Sequence, residues 1–210
     1  MWALIENNTV AKVIRTPQSV TVNGVQYPRN IFTRWSKAEL AAIGIKPYRE
    51  VGVDSRYYWQ GQATTEIGDE VVVTYASTDR DVADLKNNMK ALVKALAASK
   101  LAETDWMVIR AAEGGTAVSD EVSAYRAAVR NHSNDLETAI NALADLAAVI
   151  AFDNKEFVEV RKVKHTDEEG VETYGPETEE SNRIIRGVDA GWPTDPLAEV
   201  DPAFVSLTAV

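Results

Sequence analysis

The chain predicts an α+β protein with a small antiparallel β N-terminal domain, a central helical hairpin or coiled-coil region, and a C-terminal β-hairpin followed by an extended tail. Three observations predict it. Asn-Gly turn chemistry punctuates short β-branched runs up to about Ser77, and apolar residues then recur every three or four positions from Val82 to Ile150. Beyond Phe152, charged alternation gives way to a stretch spaced by prolines. The three regions are 1–77, 78–152 and 153–210.

In the first region, Asn23-Gly24 between Val20-Thr-Val and Val25-Gln-Tyr27 predicts a hairpin, because Asn and Gly tolerate the positive φ angles of a type I′ turn. Asn7-Asn8, between Leu4-Ile5 and Val10, is a weaker signal of the same kind. Ser36 and Glu39 have the spacing of a capping box, and Leu40 to Ile43 stops at Gly44, so one short helix interrupts the strands. Tyr57-Tyr58-Trp59 and Val71 to Tyr75, separated by Ile67-Gly68-Asp69, complete an antiparallel meander.

From Thr78 the period changes. Val82, Leu85, Met89, Leu92 and Leu96 form one stripe of a helix of about 20 residues. Asp79, Asp81 and Asp84 load its first turn, where the helix dipole favours negative charge. Thr104-Asp105 offers a fresh N-cap for a separate short helix carrying Trp106, Val108 and Ile109, stopped by Gly114-Gly115. A third helical stretch starts after Ser119. Its seam runs through Val122, Tyr125, Val129, His132, Leu136, Ala139, Leu143, Leu146 and Ile150. One continuous rod is expected; a break at the patch from Asn131 to Asn134, with Asn134 and Glu137 as a capping box, is the close alternative. The stripes fit either a hairpin within the chain or packing against copies of the chain or another helical partner.

In the last region, Phe157 to Lys164 and Val171 to Tyr174 flank an acidic turn, Asp167 to Gly170, and predict a charged hairpin; Glu177 to Arg186 is ambiguous. From Gly187 to Val210, Pro193, Pro196 and Pro202 space the anchors Trp192, Leu197, Phe204, Val205 and Leu207. Such a strap lays its anchors on a surface, a neighbour's in preference to the chain's own.

Composition bounds the chemistry. With 45% hydrophobic residues among 210, the chain can bury a real core. A formal net charge of -10 repels phosphate backbones and anionic lipid, so neither nucleic acid nor membrane is expected as a partner. The absence of cysteine removes disulfides, thiolate metal sites and thiol catalysis. The N-terminus lacks a basic flank and a long apolar run, which leads to the expectation of a soluble chain made in the cytoplasm.

No enzyme, metal site or cofactor is expected. The only histidines, His132 and His165, fall in a helical seam and in a charged hairpin. A lone polar seam residue is more often a packing or register device than a catalyst. The carboxylates of Asp79, Asp81 and Asp84 are explained by helix electrostatics, and Asp167 to Glu169 by a solvated turn. Trp2, Trp35 and Trp59 are expected to fill the core of a small sheet. Trp106 has two equal readings: an anchor in a partner's groove, or the apolar cap of a helical hairpin.

The run Leu101-Ala-Glu-Thr-Asp-Trp-Met-Val-Ile-Arg110, followed by Glu113-Gly114 and Tyr125-Arg126-Ala-Ala-Val-Arg130, resembles a signature of phage tail fibre assembly proteins and related tail chaperones. Arg34-Trp35-Ser-Lys-Ala-Glu-Leu-Ala-Ala-Ile-Gly44 is similar to a second phage-tail module of the Trp-Ser-x-x-Glu-Leu type. The resemblance spans about Trp35 to Ile150. It implies a non-enzymatic tail protein that engages the tail fibre or another tail or baseplate protein, made in the host cytoplasm and found in the virion tail or acting only during assembly. The implied partner-binding residues are Thr104, Asp105, Trp106, Arg110, Tyr125, Arg126, Arg130 and Trp192. The chain departs from the pattern in placing Gly191-Trp192-Pro193 after a helix extension, a hairpin and a linker, which favours a subunit that stays docked in a symmetric assembly, including one built from copies of this chain. A different reading makes the aromatic-rich β domain a fibre-tip module, with Tyr57, Tyr58 and Trp59 as a platform for a carbohydrate or host-surface ligand.

Overall fold

The computed structural model describes residues 1–198, 201 and 203–209, apart from the side chain of residue 182. The protein is α+β and divides into two compact units, Met1–Arg80 and Asp81–Val210.

The first unit begins with β1 (Trp2–Glu6) and β2 (Thr9–Ile14), joined at Asn7 and Asn8, whose φ angles are 51° and 57°. A separate hairpin, β3 (Val20–Val22) and β4 (Val25–Tyr27), turns on Asn23 and Gly24 at φ 50° and 78°. Both pairs have two consecutive positive-φ residues, which a type I′ turn demands. After α1 (Ile31–Arg34) comes α2 (Lys37–Ala42), opened by the expected capping box: the Ser36 hydroxyl accepts from the Glu39 N–H, and the Glu39 carboxylate accepts from the Ser36 N–H at 2.7 Å. The Ser36 N–H, and with it the Ser36 hydroxyl donating to the same carboxylate oxygen, hold the Glu39 carboxyl below its ordinary pKa. Helix α2 ends at Gly44, φ 81°, where a Cβ would stand 2.9 Å from the Ile5 carbonyl oxygen.

Three further strands follow: β5 (Ile45–Val51), β6 (Tyr58–Ile67) and β7 (Val71–Asp79). The five-stranded sheet runs β2-β1-β5-β7-β6. Its pairs are antiparallel apart from β5 and β7, which are parallel. The parallel pair departs from the expected meander because β6 takes the outer edge and leaves β7 to return beside β5. Alternation then builds two apolar faces: Leu4, Ile14 and Ile45 pack with Leu40 and Phe32 on one, and Ala3, Tyr48, Val71 and Val73 on the other. Trp2 and Trp35 flank the first cluster as expected, whereas Trp59 is 58% exposed.

The second unit opens with α3 (Val82–Ala112), N-capped by the Asp81 side chain accepting from the Asp84 N–H. The separate helix expected from Thr104 does not form. Thr104 is fully buried in the interior of α3, and its hydroxyl donates back to the Leu101 carbonyl instead of capping a new turn. Helix α3 stops in a Schellman motif: the Gly115 N–H donates to Arg110 O, the Gly114 N–H donates to Ala111 O, and Gly114 has φ 84°. Reversal therefore takes only the segment 113–119, and α4 (Asp120–Ala142) returns from the Ser119 cap.

Helices α3 and α4 pair within the chain, so the hairpin alternative holds. Helix α4 continues through Asn131 to Asn134, so the alternative break with a capping box at Asn134 does not occur there; Glu137 instead lies 3.5 Å from Lys94 of α3. The break falls later. Leu143 has an extended backbone, and Asp145 caps α5 (Leu146–Asp153) by accepting from the Ala148 N–H. Two seam assignments shift as well. Leu92 is 47% exposed while Val93 is fully buried, and exposed Ala139 yields to buried Ser133 and Ile140. The Lys86 ammonium binds the Asn141 and Leu143 carbonyls at the end of α4, which fixes the register of the pair.

The charged hairpin is β8 (Glu156–Thr166) and β9 (Glu172–Arg186), and the ambiguous stretch from Glu177 belongs to β9. The tail does not leave the chain. After a single 3-10 turn at Gly187–Asp189 it lays Trp192 against α3 and α4, then adds β10 (Phe204–Ala209) antiparallel to β8 in a three-stranded sheet ordered β10-β8-β9. The expected preference for a neighbour's surface is therefore corrected for Trp192 and β10: β8 had a free edge, and an unpaired edge recruits the nearest strand. The anchors Leu197, Phe204 and Val205 nonetheless remain exposed. Pro202 and Val210 of the expected strap lie outside the described residues.

Candidate protein-binding site

The signature residues come together where α3 and α4 meet near the turn. Arg126, whose side chain is only 12% exposed, reaches from α4 into three acceptors of α3. One terminal nitrogen donates to Leu101 O at 2.9 Å and to Thr104 Oγ1 at 2.7 Å; the other donates to Asp105 Oδ1 at 2.8 Å. Next to it the Tyr125 hydroxyl donates to Lys100 O at 3.2 Å, and burial pushes its phenol pKa up. Buried Ala97, Tyr125 and Val129 pack directly beside these bonds, with Leu101 and Trp192 around them. A planar guanidinium serves this place because its forked donors meet a hydroxyl, a carbonyl and a carboxylate at once.

Trp192 is the other inward member. Its indole N–H donates to Val188 O at 2.8 Å, its ring meets His132 edge-on at 4.8 Å, and the Lys100 ammonium stands 5.9 Å from its centroid. His132 in turn lies 3.1 Å from Ala190 O, so the seam histidine is a packing residue. Thr104, Tyr125, Arg126 and Trp192, expected as partner contacts, are thus committed within the chain. They hold α3, α4 and the tail together.

The remaining signature residues point outward. Trp106 is 51% exposed, with the Arg110 guanidinium 4.9 Å above its ring. Ile109 is 58% exposed, Glu113 lies exposed at the end of the helix, and Arg130 is exposed on α4. These residues continue a line that the sequence reading missed. Asn88, Leu92, Ala95, Ser99, Ala102, Trp106, Ile109 and Glu113 are all exposed and step by alternating fours and threes. That is a heptad seam on the side of α3 facing away from α4. It was hidden because ending the helix before Thr104 cuts the seam in two.

In the first unit, Tyr57 is buried, so the three-ring platform does not assemble. Trp59 stands alone with the Arg80 guanidinium 3.8 Å from its ring centroid. Among the described residues, no group of three or more His, Asp or Glu side chains is gathered in a way that could hold a metal ion. Among the described residues, too, no helix is long and apolar enough to cross a membrane. Comparison with protein-family models, with curated proteins and with solved structures finds no match.

Proposed function

We propose that this chain is a non-enzymatic phage tail protein that engages the tail fibre by helix packing, either as an assembly factor or as a subunit retained in the virion. The observation that carries the reading is the exposed seam of α3 with Leu92, Trp106 and Ile109 as its large apolar side chains, the last two lying within the run that resembles the fibre-assembly signature. Half-exposed aromatic and aliphatic side chains aligned on one rigid helix are what a helical client needs as anchors, and buried aromatics dominate interface energies. The inward half of the signature supports this role indirectly by locking α3 to α4, so that the outer face is preorganised.

The test is capture of the fibre protein from infected cells. Trp106→Ala is expected to weaken capture about tenfold or more while the folded fraction and melting temperature, measured at concentrations too low for association, stay unchanged, because a half-exposed ring contributes little to the monomer. Normal capture by this variant sinks the anchor. Mass spectrometry of purified virions then separates the retained subunit from the transient factor.

Exposure of Trp59 favours a second reading, in which the β-rich unit binds a carbohydrate or host-surface ligand through that single ring. Silence on a glycan array, with fibre capture intact, removes it.

A further inference from the structure

We infer that the outward seam of α3 is closed in the free protein by a second copy of the same helix, antiparallel, in a two-fold dimer. The inference rests on the same face as the proposed function and concerns the state before a client is engaged.

The seam is self-complementary in one register. An antiparallel partner centred between Ser99 and Ala102 sets Leu92 against the partner's Ile109, Ala95 against the partner's Trp106, and Ser99 against the partner's Ala102. Each contact occurs twice by symmetry, as a two-fold interface requires. The largest side chain meets one of the smallest, so the indole fills the space that alanine leaves. At either end Asn88 meets the partner's Glu113, an amide donor facing a carboxylate acceptor. A parallel pairing instead stacks Trp106 on its own copy and leaves Ala95 and Ala102 each facing its own copy across a void.

The charges agree with this register. From Asn88 to Ile109 the seam positions are uncharged, although the chain as a whole carries -10. The flanking positions bring Glu103 towards the partner's Leu96, Arg110 towards the partner's Met89, and Asp105 towards the partner's Ala98, so no like charges are forced together. Ala91, Ala98 and Ala112 on one flank allow close approach of the two axes. The seam from Asn88 to Glu113 extends about 38 Å, and two such helices packed at about 8 Å bury on the order of 700 Å² each, within the range of specific interfaces. A monomer exposing Leu92, Trp106 and Ile109 on one helix face carries apolar surface that self-association covers.

Two measurements on the full chain test it. In the first, light scattering and sedimentation at about 100 μM are expected to give a dimer, and Ala95→Glu is expected to weaken it at least 100-fold with an unchanged circular dichroism spectrum, because the longer side chain fills the space beside Ala95 that the partner's indole takes. A monomer at that concentration, or a dimer indifferent to Ala95→Glu, overturns the inference. In the second, the double variant L92C/I109C exploits the absence of native cysteine. Mild oxidation is expected to give a covalent dimer whose cross-linked peptides join position 92 to position 109. The two positions lie about 26 Å apart along one helix, so that bond can form only between copies. Links of 92 to 92 and 109 to 109 signify parallel pairing and overturn it. A dimer that fails to capture fibre protein leaves this inference standing and sinks the proposed function; a strict monomer that captures fibre protein does the reverse.

Discussion

The two faces of α3 are built from the same stock of leucine, alanine and an occasional aromatic neighbour, yet one is sealed and the other is open. On the inner face Val93, Ala97 and Thr104 are buried against Tyr125, Val129 and Ile140 or the polar groups between them. On the outer face Leu92, Trp106 and Ile109 are about half exposed. Hydrophobicity alone does not separate them. What decides is the polar pinning: Arg126, Tyr125 and Lys86 of the hairpin all spend their donors on carbonyls or hydroxyls of the facing helix, and that fixes which side turns inward. A helix apolar on both sides has two seams to fill and one partner within the chain.

Val93 and Leu92 give the sharpest test of this contrast, because they are adjacent in sequence and opposite in environment. Val93→Ala removes two methyl groups from a fully buried site and is expected to cost about 2 kcal/mol, the transfer loss plus a residual cavity. Leu92→Ala, measured at concentrations too low for association, is expected to fall within about 0.5 kcal/mol of the parent. Urea unfolding of both variants checks the pair. Equal costs mean that the outer face is packed in solution even without a partner.

The polar clamp comes next in size. Arg126→Met keeps the apolar stem but removes every bond to Leu101, Thr104 and Asp105, and leaves buried Thr104 without its strongest donor. The expected loss is about 1.5 kcal/mol in urea midpoint experiments, while Asp105→Asn, which touches only the half-exposed carboxylate, costs less than about 0.5 kcal/mol. Reversal of that order places the weight of the clamp on the surface ion pair and not on the buried hydroxyl.

Sequence reading located both hairpin turns of the first unit, the capping box of α2 and the helical period from Val82 onward, because each depends on residues close in the chain. It failed where distant groups decide. Thr104-Asp105 has the composition of an N-cap, and only Arg126, far along the chain, turns the hydroxyl into an interior acceptor. The parallel pairing of β5 with β7 and the docking of β10 on β8 depend on which strand edges are left vacant, which local propensity does not encode. The site shows the same division. The signature run falls on the stretch of helix that carries the outer seam but does not separate its two faces, and a rule of threes and fours finds that seam only once α3 is known to be unbroken through Trp106.

Tyr125 carries a smaller expected effect than Val93 or Arg126 and adds a pH signature that belongs to the inner face alone. Its hydroxyl donates to Lys100 O, and Tyr125→Phe is expected to cost about 1 kcal/mol at neutral pH by removing one buried bond. Burial raises the phenol pKa in the folded state, so folding favours the neutral form. The stabilisation is therefore complete below the unfolded tyrosine pKa of about 10 and is lost as pH rises through the higher folded value. Urea midpoints measured upward from pH 9 should fall more steeply for the parent than for Tyr125→Phe, and the two proteins should converge at the alkaline end. Tyr48, pushed up to about 12 chiefly by its hydrogen bond to Glu50, lies in the first unit and contributes equally to both curves, so it drops out of the difference. Parallel curves for parent and variant mean that the Tyr125 hydroxyl is hydrated in solution, and that the inner face of α3 is less tightly closed near the turn than its bonds to Arg126 imply.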